Sequence, residues 1–187
     1  MKLSIVVPCY NEEPVLQETT ARLSAVLDSL IEKQKISSDS FILYVNDGSR
    51  DKTWTLIMSL HEGNPYVKGL NLAGNVGHQN ALMAGLMVAK EYADILVSID
   101  ADLQDDVSVI EEMVDRYKEG YDIVYGVRSS RDSDTFFKKN TALAFYKLMS
   151  WLGVKSVYNH ADYRLMSRRA VEQLENYKER NLFLRGI

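Results

Sequence analysis

The stretch LVSIDADLQDD, residues 96–106, runs from an apolar segment straight into four carboxylates, Asp100, Asp102, Asp105 and Asp106. If that stretch stays extended, Asp100 and Asp102, two residues apart, point the same way. Like charges about 4 Å apart repel by roughly 4 kcal/mol at an effective dielectric of about 20, a large part of a domain's net stability. A cation between them removes that repulsion. An oxygen-only donor set selects a hard ion, Mg²⁺ or Mn²⁺, of the kind usually shared with substrate phosphates, and Gln104 adds a neutral oxygen. A solvated acidic turn is the alternative: Asp105 and Asp106 suit the first turn of a helix beginning near Val107, where acids complement the dipole. Asp100, directly behind a mostly apolar run, suits that reading less well.

Such side chains need a scaffold, and the rest of the chain supplies its pattern. The runs LSIVVP, FILYVN, VKGLNL, DILVSI and DIVYGV are bounded by polar or glycine punctuation, and nearly continuous Val/Ile/Leu runs suit strands buried on both faces. Between them, Leu16, Thr20, Leu23, Val26, Leu27 and Leu30 follow the helical period. So do Leu82, Gly85, Leu86 and Ala89, and then Ile110, Met113, Val114 and Tyr117, each set making one apolar stripe. Pro14 fits a first helical turn, and Ser167 is placed to cap a last helix carrying Ala170, Val171, Leu174 and Tyr177. The alternation predicts an α/β, Rossmann-like, mostly parallel sheet with helices on both faces, with ligands at the carboxyl ends of the strands. Asn75, Gly77 and His78 open the third helix, whose exposed amides can face an anion. Residues 128–140 break the pattern and read as a mobile loop, followed by a helix with Ala144, Phe145, Leu148 and Leu152.

A chain of 187 residues with 46% hydrophobic content suits one domain with a sizeable core. The net charge of -4 argues against a general nucleic-acid binder. Cys9 is the single cysteine, which excludes an internal disulfide framework and suits a reducing, cytoplasmic setting. His61 and His160 show no metal-ligand spacing. The start, MKLSIVVPCYNEE, has an apolar run too short for a signal peptide. No window approaches the roughly 18 apolar residues of a membrane span, so the chain as given is expected to be soluble.

The strand ends VVPCYNEE and LYVNDGSRDKT, followed by NVGHQNALMAGL, DADLQDD, GVRSSR, DYRLMSRRAV and NLFLRG, resemble the family 2 inverting glycosyltransferases of GT-A fold over nearly the whole chain. The DADLQ and YRLMSRRA segments look most like the polyprenyl-phosphate glycosyltransferases, the group of dolichyl-phosphate mannose synthases and bactoprenol glucosyltransferases. The resemblance implies transfer of a sugar from a nucleoside diphosphate sugar, a UDP-sugar by expectation, to a polyprenyl phosphate with inversion. Pro8, Tyr10, Asn11 and Glu12 would line the base and ribose, and Asp47 would accept a hydrogen bond from the base. Asp100 would face the nucleotide and, with Asp102 and Gln104, hold Mg²⁺ or Mn²⁺. Asn46 stands where many relatives carry a second aspartate.

By the same resemblance Asp105 and Asp162 are the acids for positioning or proton transfer. Arg128, Arg131, Lys138 and Lys139 bracket the loop after DIVYGV and would clamp the acceptor phosphate, with Arg164 and Arg168 as further candidates, a task that suits the guanidinium fork. Relatives continue into membrane helices, so residues 1–187 are expected to be one catalytic domain cut before them. The full protein would then sit at the cytoplasmic face of the membrane, and exposed Phe183 and Leu184 would favour self-association. The competing readings are a family 2 enzyme acting on a sugar hydroxyl in polysaccharide synthesis and a non-catalytic nucleotide-sugar-binding module. An aspartate-nucleophile phosphatase fits poorly, because Leu103 and Gln104 follow the D-x-D.

Overall fold

The computed structural model describes residues 1–102, 104–127 and 160–176. All five apolar runs form strands: β1 (Leu3–Cys9), β2 (Phe41–Asn46), β3 (Val67–Asn71), β4 (Ile95–Ser98) and β5 (Ile123–Val127). Helices α1 (Leu16–Glu32), α2 (Thr53–Gly63), α3 (His78–Ala89) and α4 (Val109–Lys118) lie between them in the chain. A sixth strand, β6 (His160–Ser167), leads into α5 (Arg168–Leu174). The sheet order is β3-β2-β1-β4-β6-β5.

Strands β3, β2, β1 and β4 are parallel, whereas β6 runs antiparallel to both of its neighbours. The sheet is therefore mixed at one side, and β6 was not legible as a strand. Its sequence, HADYRLMS, is largely polar, yet Tyr163, Arg164, Leu165 and Met166 are all buried.

Alternate strand residues serve two cores. Leu3, Ile5 and Val7 of β1 pack with the leucine stripe of α1, with Ile57 of α2, and with Ile110, Met113 and Val114 of α4. Val6, Leu43, Val45 and Leu96 point the other way, onto Ala81, Leu82 and Leu86 of α3 and Val171 of α5. Both faces are thus covered, which is why the central strands carry apolar residues continuously. Ser167 caps α5 as its position foretold, its hydroxyl accepting from the Ala170 amide at 3.1 Å.

Gly85 lets α3 lie close to the sheet. A Cβ there would stand 2.6 Å from methyls of both Val45 and Val6, which belong to neighbouring central strands. Alanine gains about 1 kcal/mol in helix propensity, but overpacking a filled core costs about 1–3 kcal/mol. Gly85→Ala is expected to lose about 1 kcal/mol net in urea unfolding, and a stabilised variant would show that the helix can retreat.

Several expectations fall on residues outside those described: Arg128, Arg131, Lys138 and Lys139, the loop over residues 128–140 and the helix after it, and Phe183 and Leu184. Among the described residues no helix is long and apolar enough to cross a membrane.

Candidate functional site

The carboxyl ends of β1, β2, β3 and β4 open on one edge of the sheet, and each delivers a polar loop there. The loop after β1 begins with Tyr10, 41% exposed, and Asn11, whose φ of 58° is left-handed, a conformation asparagine tolerates better than most residues. This loop is laced to the one after β2. The Asn11 amide donates to Ser49 Oγ at 3.0 Å, and Asn11 Oδ1 accepts the Arg50 amide at 2.8 Å. One step along, the Glu13 amide donates to Asp51 Oδ2 at 3.2 Å, and Glu13 Oε2 accepts the Lys52 amide at 3.1 Å. The Glu12 amide donates to the Thr53 hydroxyl at 2.9 Å, which itself donates to Asp51 Oδ1 at 2.6 Å.

Asp47 directly follows β2 and is only 2% exposed. Its Oδ1 accepts the Val76 amide at 2.6 Å, and its Oδ2 accepts the Gly77 amide at 3.0 Å. The Asn75 side chain donates to the Asp47 carbonyl at 3.1 Å. Asp47 thereby holds the segment that precedes α3, and of the amides expected to face an anion that of Gly77 is committed to it. Gly48 makes this closeness feasible: its φ is +64°, and a Cβ would stand 2.5 Å from the Asn75 amide nitrogen. Asn46, buried, spans β2 and β3 through Nδ2, which donates to Asn71 Oδ1 at 2.7 Å.

The acidic stretch follows β4 at this same edge. Asp100 lies two residues beyond the strand, half-buried, with its Oδ1 3.5 Å from Nε2 of His78. The stretch is not extended as far as Asp102: Ala101 and Asp102 lie in a turn, Asp102 is exposed, and its Oδ1 accepts the Gln104 amide at 3.1 Å. Helix α4 starts two residues later than the charge pattern suggested, because Asp106 Oδ1 takes the Ser108 amide at 2.9 Å in a turn ahead of it. The acids of its first turn are Glu111 and Glu112. Asp105 is buried, at 8% exposure. Burial, and after it the charges of Asp105 and Asp106, push the Tyr163 hydroxyl well above the usual tyrosine range.

Glu12 registers how much negative charge this edge carries. Burial raises its pKa, and the charges of Asp102, Asp100 and Asp51 raise it further. An acid that binds its proton more tightly in the folded chain loses stability as pH climbs from the ordinary glutamate range through its folded value. Glu12→Gln is therefore expected to raise Tm at pH 7 by roughly 1–2 °C, with no gain below about pH 4. Melting curves at the two pH values check this, and a lower Tm at pH 7 would contradict it.

The donor set suits a hard divalent ion. Asp100, Asp102 and Gln104 offer only oxygen, and among the described residues no three His, Cys, Asp or Glu side chains are grouped to hold a metal by themselves. Two carboxylates complemented by substrate phosphates are the usual Mg²⁺ arrangement.

The other expected residues divide by position. Pro8 and Tyr10 stand at the end of β1. Asp162 lies on β6, two residues before Arg164, which pairs with Ser98 at the end of β4, so the backbone of Asp162 is at the acidic edge; its side chain is outside the described structure. Arg164 is 4% exposed, with Cζ 5.9 Å from the Tyr125 ring centroid. Arg168 stands at the opposite end of the sheet, donating to the Ala93 carbonyl at 2.9 Å and to Asp94 at 3.2 Å. It is not brought to the site. Ser49, Asp51 and Thr53, which sequence reasoning does not single out, are brought to it; the local signal for them is the Asp-x-Thr spacing of an Asx turn.

The family model for glycosyl transferase family 2 matches residues 4–175. The chain is 60% identical over 185 residues to the uncharacterized glycosyltransferase YkoT of Bacillus subtilis, covering 99% of this chain and 55% of that protein. It is 38% identical over 191 residues to the bactoprenol glucosyl transferase of Shigella phage SfV, covering all of this chain and 59% of that one. It thus spans a little over half the length of these relatives. Among solved structures, glucosyl-3-phosphoglycerate synthase from Mycobacterium tuberculosis in complex with Mn²⁺, UDP and glucosyl-3-phosphoglycerate superposes with a TM-score of 0.56 at 19% identity, over 90% of this chain and 57% of that one.

Proposed function

The chain belongs to glycosyl transferase family 2 and has the GT-A fold, and from that premise we propose that it transfers a sugar from a UDP-sugar to a polyprenyl phosphate with inversion at the anomeric carbon. The observation that carries the reading is the convergence of the β1, β2 and β4 loops on one edge, closed by Asp47 on the segment before α3 and by His78 beside Asp100. The 38% identity to a bactoprenol glucosyl transferase supports the lipid phosphate.

In this reading Pro8, Tyr10, Asn11 and Glu12 line the base and ribose, and Asp47 shapes the base end of the cleft. Asp100 and Asp102, with Gln104, hold Mg²⁺ or Mn²⁺, which when bound supplies positive charge to the departing diphosphate. A lipid phosphate is already ionised at neutral pH, so orientation contributes more than proton abstraction. Asp105 and Asp162 position the acceptor, and Arg128, Arg131, Lys139 and Arg164 meet its phosphate. The full-length protein works at the cytoplasmic face of a membrane, where donor is soluble and acceptor embedded.

A thermal-shift panel of UDP, GDP and their sugars, with and without Mn²⁺, tests the donor half. A ligand at a hundred times its Kd adds about 2.7 kcal/mol to apparent stability, so a metal-dependent rise with UDP is expected. The absence of a rise with any nucleotide would overturn the reading. Transfer to a short polyprenyl phosphate rather than to an oligosaccharide tests the acceptor half.

A further inference from the structure

The two loops that would line the donor cleft exchange hydrogen bonds in reciprocal pairs. Asn11 and residues 49–50 trade a donor and an acceptor, and Glu13 and residues 51–52 do the same. Between the pairs, Thr53 takes the Glu12 amide on a hydroxyl whose proton is committed to Asp51. Asp51 is the hub. Its Oδ1 accepts from both the amide, at 3.0 Å, and the hydroxyl of Thr53, and its Oδ2 accepts from Glu13. One carboxylate therefore fixes the Glu13 amide directly, the Glu12 amide through the Thr53 hydroxyl, and the first residue of α2.

We propose that Asp51 is a positioning residue for the donor nucleotide: it joins the β1 and β2 loops into one rigid unit, so that the residue 10–12 surface is held ready for the nucleoside diphosphate. The proposal rests on the nucleotide reading given above. Binding a ligand on a loop already ordered avoids the entropy of ordering it. The bonds join residues about forty positions apart in sequence, so either loop alone lacks the partners that hold it.

Asp51→Asn separates this role from general stability. Asparagine keeps Oδ1 for Thr53 but turns an amide toward the Glu13 N–H, setting donor against donor. The Kd for UDP, measured by calorimetry in Mn²⁺ on the folded chain, is expected to rise roughly tenfold. The Kd for Mn²⁺ alone should change less than about twofold, since Asp51 serves the loops and not the ion. Thr53→Ser, which keeps the hydroxyl, should bind UDP as wild type does. Thr53→Val should weaken UDP binding, and its effect should not add to that of Asp51→Asn, because both break one chain of bonds. A wild-type UDP affinity in Asp51→Asn, or strictly additive effects in the double variant, would overturn the positioning role alone. A wild-type chain that binds neither UDP nor GDP would overturn the nucleotide reading, and this role with it.

Discussion

Asp100→Asn is expected to lower sugar transfer roughly a thousandfold, the scale on which a preorganised electrostatic group acts on a developing charge. The change keeps size and shape while removing a charge that faces His78 at 3.5 Å and adds to the field on Glu12. The folded chain should survive it, because Asp100 lies beyond β4 and outside both cores. Relief from like-charge repulsion should leave Tm equal or slightly higher. Titration of Mn²⁺ against the variant, together with transfer assays over a range of metal concentration, checks the cause: a loss of rate with unchanged metal affinity would show that Asp100 acts on the substrate without holding an ion.

Asp47→Asn has its largest effect on stability. The carboxylate is buried and accepts two backbone amides, from Val76 and Gly77. An asparagine there turns an N–H against one of them, and a buried donor left without an acceptor costs about 1–3 kcal/mol. Displacing the wrongly facing amide group adds to this, so the expected loss is about 2–4 kcal/mol, or roughly 5–12 °C in Tm for a chain of this size. Release of the segment before α3 should also weaken UDP binding. Urea unfolding and calorimetry check the two effects, and a variant as stable as wild type would mean that the loop is held elsewhere.

The strands were legible because both faces of the sheet are covered. Where burial is two-sided, the strand shows as an unbroken apolar run, as in LSIVV and FILYV. β6 escaped because it buries an arginine and a tyrosine in place of aliphatic residues, and such groups are normally read as surface. The start of α4 was misplaced because Asp106 spends its oxygen on the Ser108 amide, a competing local bond available to any aspartate near a helix start. The acidic residues themselves stand out in one short stretch, while the bonds that tie the loops of this edge together join residues 11–13 with 49–53 and residue 47 with 76–77. No periodicity or composition records pairings of that range. Asp47 shows the limit well: the residue was singled out, but its commitment to backbone amides follows only from the fold.

The register of β5 and β6 sets Val127 opposite His160. The chain between those two positions therefore leaves and re-enters the sheet at adjacent points, at the edge that carries the acidic stretch. Exchanging residues 128–159 for the corresponding stretch of a relative is therefore expected to keep the β5–β6 pairing, so that whatever this segment contributes can change without rebuilding the sheet.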